Sequence, residues 1–181
     1  MDKRLILNKD LLKITIFRLV EELIENHGDF KDTVLIGMQP RGTFLAKRLH
    51  QRIQERLQKE ISLGSLDVTF YRDDFRRRDQ PIQANATNIT FLIEDKKVIL
   101  IDDVLFTGRT VRAALDALTA FGRPKLVELL TFIDRKYTRD LPIQADYIGK
   151  RVNTLKTQRV LVEWTEQGAK KDQIWLVTNE K

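Results

Sequence analysis

Two adjacent carboxylates, Asp102 and Asp103, stand just ahead of a Thr107-Gly108-Arg109-Thr110 turn, and the spacing joins two kinds of chemistry. Paired acids can act as general acid and base, as ligands of a hard cation, or as acceptors for hydroxyl groups. A turn of small residues that opens a helix offers backbone N–H groups and a helix N-terminus to a phosphate. Carboxylates beside a phosphate repel it unless they are occupied by hydroxyls or a metal ion. A phosphorylated sugar satisfies both halves: its phosphate sits in the loop from Thr107 to Thr110, and its hydroxyls on the diacid. The plainer alternative is a strand that ends in an acidic turn, with Asp103 stabilising the N-terminus of the next helix.

The elements that must position these groups are legible around them. Val98-Ile99-Leu100-Ile101 is four apolar residues, three of them β-branched, which reads as a buried strand of a parallel sheet. Open α/β sheets bind ligands outside the carboxyl ends of such strands. A helix between Asp10 and His27 is expected from Leu12, Ile16, Leu19, Val20 and Leu23, with Gly28 as its stop. A strand over residues 34–38 leads through Gln39-Pro40-Arg41-Gly42 into a helix marked by Leu45, Leu49, Ile53 and Leu57. Alternation predicts a strand over residues 66–72, then a long loop over 73–88, with 88–93 returning as the other arm of a β-excursion. A helix from Thr110 to Gly122 follows the diacid, then strands over 126–133 and 147–149, and a hairpin between 160 and 177 turning at Glu166-Gln167-Gly168. Strand–helix alternation without repeats indicates one α/β domain over residues 1–181, built on a parallel sheet.

The composition of the 181 residues, 42% hydrophobic and 32% charged, is that of a soluble globular chain. No cysteine is present, which removes disulfide and thiolate chemistry. No run approaches the ~20 apolar residues of a membrane helix, and Met1-Asp2-Lys3-Arg4-Leu5 does not resemble a secretion signal, so a cytoplasmic protein without membrane contact is expected. A net charge of +6 favours anionic partners, whether nucleic acid or small substrates, or describes a generally basic surface. No Gly-x-x-x-x-Gly-Lys-Ser/Thr and no Gly-x-Gly-x-x-Gly occurs, which argues against a P-loop nucleotidase and a dinucleotide fold.

Further candidates surround the diacid. Arg41 stands in a strand-to-helix turn, as an anion contact or a solvated side chain. Tyr71-Arg72-Asp73-Asp74 opens the long loop, where Arg72 is placed to close over an anion, or to join a solvated charge cluster. Arg135 follows a strand at the same sheet edge and is a second phosphate or base contact. His27 and His50 lack a partnered acid or serine motif and read as surface residues.

The run from Val98 to Thr110 resembles the phosphoribosyl pyrophosphate (PRPP) motif of the type I phosphoribosyltransferases: hydrophobic strand, two acids, then Thr-Gly-x-Thr. Residues 42–49 and 108–118, Tyr71-Arg72-Asp73-Asp74 and Leu141-Pro142-Ile143-Gln144-Ala145-Asp146-Tyr147-Ile148-Gly149-Lys150 extend the likeness. Together they look like the pyrimidine operon regulatory protein family, PyrR. The resemblance implies the type I phosphoribosyltransferase fold, a central parallel sheet flanked by helices, with a flexible β-excursion loop and a small C-terminal β hood. It implies the conversion of uracil and PRPP to UMP and pyrophosphate with Mg²⁺. The ion would be held by the substrate, with Asp102 and Asp103 as its only side-chain candidates. In that reading Asp102, Asp103 and Arg72 are catalytic, and Pro40, Arg41 and Gly42 grip pyrophosphate. Val104, Leu105, Phe106, Thr107, Gly108, Arg109 and Thr110 bind PRPP or the nucleotide, with the 5′-phosphate on the loop from Thr107 to Thr110, and groups near Arg135 and Val160 read the base. The family also implies homodimers or higher assemblies, response to UMP or UTP, and in some members binding of pyrimidine operon leader mRNA. Arg18, Lys150, Arg151 and Lys156 keep positive charge for that RNA, whereas Phe17, Glu21 and Gln144 depart from the RNA-binding pattern. Two alternatives remain: an RNA-binding attenuation regulator that uses the transferase site only as a nucleotide sensor, and a phosphoribosyltransferase for another base.

Overall fold

The structure is a computed structural model and describes residues 2–73 and 86–178. Strand β1 (Asp2–Leu7) precedes helix α1 (Lys9–His27), which Asn8 caps by accepting the Leu11 N–H at 2.9 Å. Gly28 ends α1 at φ 57°, a conformation that costs least without a Cβ. The chain continues as β2 (Thr33–Met38), α2 (Gly42–Leu57), β3 (Leu63–Leu66), β4 (Lys97–Leu105), α3 (Arg109–Leu118), β5 (Leu126–Lys136), β6 (Tyr147–Asn153), β7 (Gln158–Glu163) and β8 (Gln173–Thr178).

Strands β3-β2-β4-β5-β6 form a parallel sheet in that order, and β1-β8-β7 form a small antiparallel sheet. Alternation along β2 and β4 sorts the core. Leu35, Ile99 and Ile101 pack with α1, α2 and the small sheet, while Val34, Ile36, Val98 and Leu100 pack with α3. The order reverses between β2 and β4, so the switch point lies at their carboxyl ends. Arg48 of α2 ties the small sheet down: it bridges Asp172 and Glu166 and lies 4.5 Å over the fully buried Trp164 ring.

Two expectations change. The strand expected over 66–72 is β3, four residues at 63–66, and Thr69–Tyr71 is a 3₁₀ turn held by Asp67, whose carboxylate accepts from the Thr69 N–H and hydroxyl. Residues 88–93 form no strand; Asn88 makes an isolated bridge to Ser65. The loop expected between them falls largely at residues 74–85, outside the described residues. The small sheet also recruits β1, which the sequence reading did not anticipate. Four of its six side chains are exposed, so no apolar pattern marks it; the free edge of β8 recruits it.

The histidines are not surface residues. His50 Nε2 meets the Ile61 carbonyl at 2.7 Å. His27 is enclosed: Nε2 lies 3.0 Å from the Tyr147 hydroxyl and 3.1 Å from a Glu128 oxygen, and Nδ1 lies 3.2 Å from Thr33 Oγ1. Burial, opposed by the Glu128 charge and aided by Lys97, lowers its pKa from 6.5, so the folded chain holds it neutral. A depressed histidine pKa gives stability that is complete above the unfolded value and is lost as pH falls below about 6.5. Denaturant titrations between pH 5 and 7.5 should therefore show an acid loss that His27→Gln flattens; equal slopes in both proteins would contradict this.

Candidate functional site

The diacid lies within β4 rather than beyond its end, and it is laid open because β2 is shorter. The β2–β4 pairing stops at Gly37↔Ile101, whereas β5 continues alongside from Asp102↔Thr131 to Leu105↔Asp134. The turn after β2, residues 39–41, and the first turn of α2 fill the vacated edge. Their approach needs a glycine: a Cβ on Gly42 would lie 2.3 Å from the Ile101 carbonyl oxygen and 3.0 Å from Asp102 Cα. Gln39–Pro40 is a cis peptide, and Pro40 and Arg41 are exposed at this edge.

The pleat then sends the two acids to opposite faces, Asp102 with Leu100 toward α3 and Asp103 with Ile101 toward α2. Their electrostatic partners follow. Burial is the largest influence on both and raises both pKa values, Asp102 well above the ordinary carboxylate range with the Asp103 charge adding to it. Arg72 opposes the rise at Asp102, and Arg41 opposes it at Asp103. The structure thus gathers Arg41, Arg72, Asp102 and Asp103 around one edge. Asp102 Oδ1 accepts the Asp103 N–H at 2.9 Å, while Asp103 Oδ2 is buried with no hydrogen-bond partner. A buried, unmatched carboxylate oxygen suits a hydroxyl group or a metal-bound water. Among the described residues no three His, Cys, Asp or Glu side chains cluster as a metal site, so a cation here would draw most ligands from substrate and water.

Beyond the diacid, residues 106–110 form the turn into α3, with Gly108 at φ 90°. Its carbonyls are drawn to one side. Arg139, which the sequence reading overlooked, donates to the carbonyls of Leu105 and Phe106, to Ile143 O at 3.0 Å and to Arg135 O at 3.1 Å, and pairs with Asp134. The Thr107 carbonyl accepts from Asp140 and Leu141 N–H groups at 3.0 and 3.1 Å. In trans peptides the N–H points opposite the carbonyl, so the N–H groups of Phe106, Thr107 and Gly108 point away from Arg139 and the Asp140–Leu141 backbone, the orientation a phosphate seat uses. Arg109 contacts Asp73 and, at 3.2 Å, Asp140, which fastens the start of the long loop to α3.

The phosphoribosyl transferase domain family matches residues 5–167. The bifunctional protein PyrR of Desulfosudis oleivorans is 47% identical over 167 residues, covering 92% of each chain. That of Bacillus subtilis is 42% identical, covering 91% of each. The chain belongs to the PyrR family. Among solved structures, the hypoxanthine phosphoribosyltransferase of Trypanosoma cruzi superposes with a TM-score of 0.72 at 13% identity, covering 98% of this chain and 97% of that one. At that identity the likeness bears on the fold alone, and the fold is that of the type I phosphoribosyltransferases: a parallel sheet flanked by helices, with a small antiparallel sheet built from the two ends of the described chain.

The remaining PyrR-type candidates disperse. Arg135 is buried with its guanidinium 3.8 Å over the Phe106 ring, donating to Thr154 Oγ1 and the Leu155 and Gln158 carbonyls. These contacts tie the β6–β7 connection to the turn that enters α3. Val160 is buried in the small sheet, its side chain facing the core. A cavity of about 610 Å³ is lined by Tyr137, Thr154, Lys156 and Gln158 among others. Of the RNA candidates, Arg18 donates to the Ile148 and Gly149 carbonyls at 3.0 and 2.7 Å, and Lys150 to the Ile6 carbonyl at 3.3 Å. Arg151 leans toward Asp134 from the opposite face of β6, and Lys156 is exposed beside the cavity. These four do not share one face.

Proposed function

We propose that this protein transfers a ribose 5-phosphate unit from PRPP to uracil, giving UMP and pyrophosphate. The observation that carries the reading is the diacid of β4, Asp103 buried and Asp102 half-buried, with Arg41 and Arg72 acting on it and the turn into α3 directly after it. Asp102 and Asp103 accept the ribose hydroxyls and, as carboxylates, stabilise positive charge that develops at C1 when its bond to pyrophosphate breaks. The turn at 106–110 holds the 5′-phosphate. Arg41, the backbone N–H groups of Arg41 and Gly42, and Arg72 take up negative charge on the departing pyrophosphate. Asp102 and Asp103 are the side chains that would help hold Mg²⁺ brought with the substrate, and the ion would supply further neutralisation of the leaving group. The base is read beside Arg135 by backbone groups near Val160. The protein works as one domain in the cytoplasm, as a homodimer or larger assembly; no helix among the described residues is long and apolar enough to cross a membrane.

A panel of uracil, hypoxanthine and orotate with PRPP and Mg²⁺, followed by chromatography of the nucleotide formed, tests the assignment. Uracil should be consumed preferentially; turnover of another base with none of uracil would defeat it. The curated relatives are named bifunctional, which favours a second role as a UMP- or UTP-responsive binder of pyrimidine operon leader mRNA. Gel shifts across salt, with and without UMP, decide that role. Weak binding erased by salt would leave only a basic enzyme.

Arg139 is a positioning residue in this scheme, because it touches the phosphate turn and not the substrate. Arg139→Gln leaves the carbonyls of Leu105 and Phe106 without their donor. It should cut kcat/KM for PRPP by about 10²-fold, chiefly through KM. An unchanged KM would show that the turn holds its shape without it.

A further inference from the structure

The cavity of about 610 Å³ is walled by three parts of the chain that are far apart in sequence. Asp2 and Arg4 come from β1, Tyr137 from the turn after β5, and Asn153 and Lys156 from the end of β6 and the loop beyond it. Among the described residues that line it, none belongs to the diacid, to the turn at 104–110 or to the Arg41 and Arg72 positions. Its volume lies within the roughly 300–1,000 Å³ of pockets that take small molecules.

Tyr137 is held in this wall against its own preference. Its φ of 61° is a left-handed conformation that bulky residues rarely adopt, and its side chain is 84% exposed, so no burial offsets the strain. The neighbours impose it. Thr138 is buried and donates its hydroxyl to the Arg135 carbonyl at 3.1 Å, and Arg139 is fixed on the carbonyls of Leu105 and Phe106. Strain that the surroundings enforce gathers at ligand sites, and an open aromatic ring is a platform for another ring. The charges complete the description. Arg4 and Lys156 are exposed, and no acid among the described residues pairs with either. Two free cations suit a phosphate, and Asp2 and Asn153 offer acceptors for hydroxyl groups.

We propose that this cavity binds a free nucleoside phosphate at a site separate from the diacid, with the base on Tyr137, the phosphate on Arg4 and Lys156, and sugar hydroxyls on Asp2 and Asn153. The proposal does not depend on the catalytic reading, because the cavity shares no lining residue with the diacid, the phosphate turn or Val160. A single nucleotide fits better than a strand of RNA. A strand needs a track of cations leading away from the cavity, but Arg18 and Lys150 donate to backbone carbonyls and Arg151 leans toward Asp134.

Isothermal titration of the full chain with UMP, UTP, GMP and ATP tests it. Tyr137→Gly should weaken at least one of the four about ten- to a hundredfold, while Tyr137→Phe keeps the ring and the affinity. Arg4→Glu together with Lys156→Glu should weaken the same nucleotide and flatten its salt dependence. Glycine tolerates φ 61° freely, so Tyr137→Gly should not lower Tm, and lost binding cannot then be blamed on unfolding. UMP formation by Tyr137→Gly should be unchanged, and Asp102→Asn should leave the affinity of the cavity as it is. Equal affinity of Tyr137→Gly and wild type for all four nucleotides would overturn the proposal. So would a raised KM for uracil in that variant, which would make the cavity part of the transferase site. Loss of affinity for an RNA hairpin but for no mononucleotide would overturn it in favour of a strand.

Discussion

Asp102→Asn is expected to make a protein that unfolds at a higher temperature than the wild type and forms almost no UMP. The two effects have one cause. Burial and the Asp103 charge lift the Asp102 pKa well above the ordinary carboxylate range, so the folded chain binds that proton more tightly than the unfolded chain does. For a carboxyl with a raised folded pKa, ionisation at neutral pH works against folding, and the penalty grows as pH rises above the unfolded value. Asparagine removes the charge and keeps an oxygen for the Asp103 N–H, now bonded at 2.9 Å. Stability should rise, with Tm moving about 2–4 °C for each kcal/mol relieved in a chain of this length. The loss of a charged hydroxyl acceptor beside C1 should lower kcat by about 10²–10³-fold. In the wild type, kcat/KM for PRPP should fall on the acid side with an apparent pKa above the ordinary carboxylate range, belonging to the pair rather than to either acid. Differential scanning calorimetry beside initial rates decides the matter. A variant less stable than the wild type, or one that keeps its turnover, would mean that the two acids serve the fold and not the sugar.

How much of this was open to the sequence depended on whether the decisive contact is local. The strand that carries the diacid, the turn after it and both flanking helices show in short patterns, because one buried strand or one amphipathic face dictates its own residues. Leu45, Leu49 and Ile53 are fully buried as their spacing predicts. What the pattern did not give was set by partners far along the chain. β1 exists because β8 offers an edge, and its exposed side chains carry no signal. Arg139 matters because its guanidinium reaches back 33 residues to the Phe106 carbonyl, and no spacing rule announces an arginine that serves backbone oxygens. The partners of Arg135 were hidden for the same reason: its donors end on Thr154, Leu155 and Gln158, about twenty residues further along the chain. His27 read as a surface residue because Tyr147 and Glu128, which enclose it, lie a hundred residues and more away.

Gly42→Ala is the second substitution with a large expected effect, and it acts through geometry alone. The added methyl would sit 2.3 Å from the Ile101 carbonyl oxygen and 3.0 Å from Asp102 Cα. Both neighbours are backbone, so no side chain can swing aside. Helix α2 cannot simply retreat: Leu45, Leu49 and Ile53 are fully buried beneath it, and Arg48 fastens it to Asp172 and Glu166. The strain must fall on the turn that carries Arg41 or on β4 at the diacid, and either shift separates the groups that close around pyrophosphate and ribose. The expected cost is about 1–3 kcal/mol of stability and about 10²-fold in kcat/KM for PRPP. Gly28→Ala is the matched control. A Cβ there meets nothing within 4 Å, but the residue holds φ +57° at the end of α1, so it should lose about 1 kcal/mol with turnover intact. If the two variants fell equally in stability and both kept kcat/KM, the close approach of α2 to β4 would be a packing detail. A selective loss in Gly42→Ala would make that approach the feature that sets the spacing of the site.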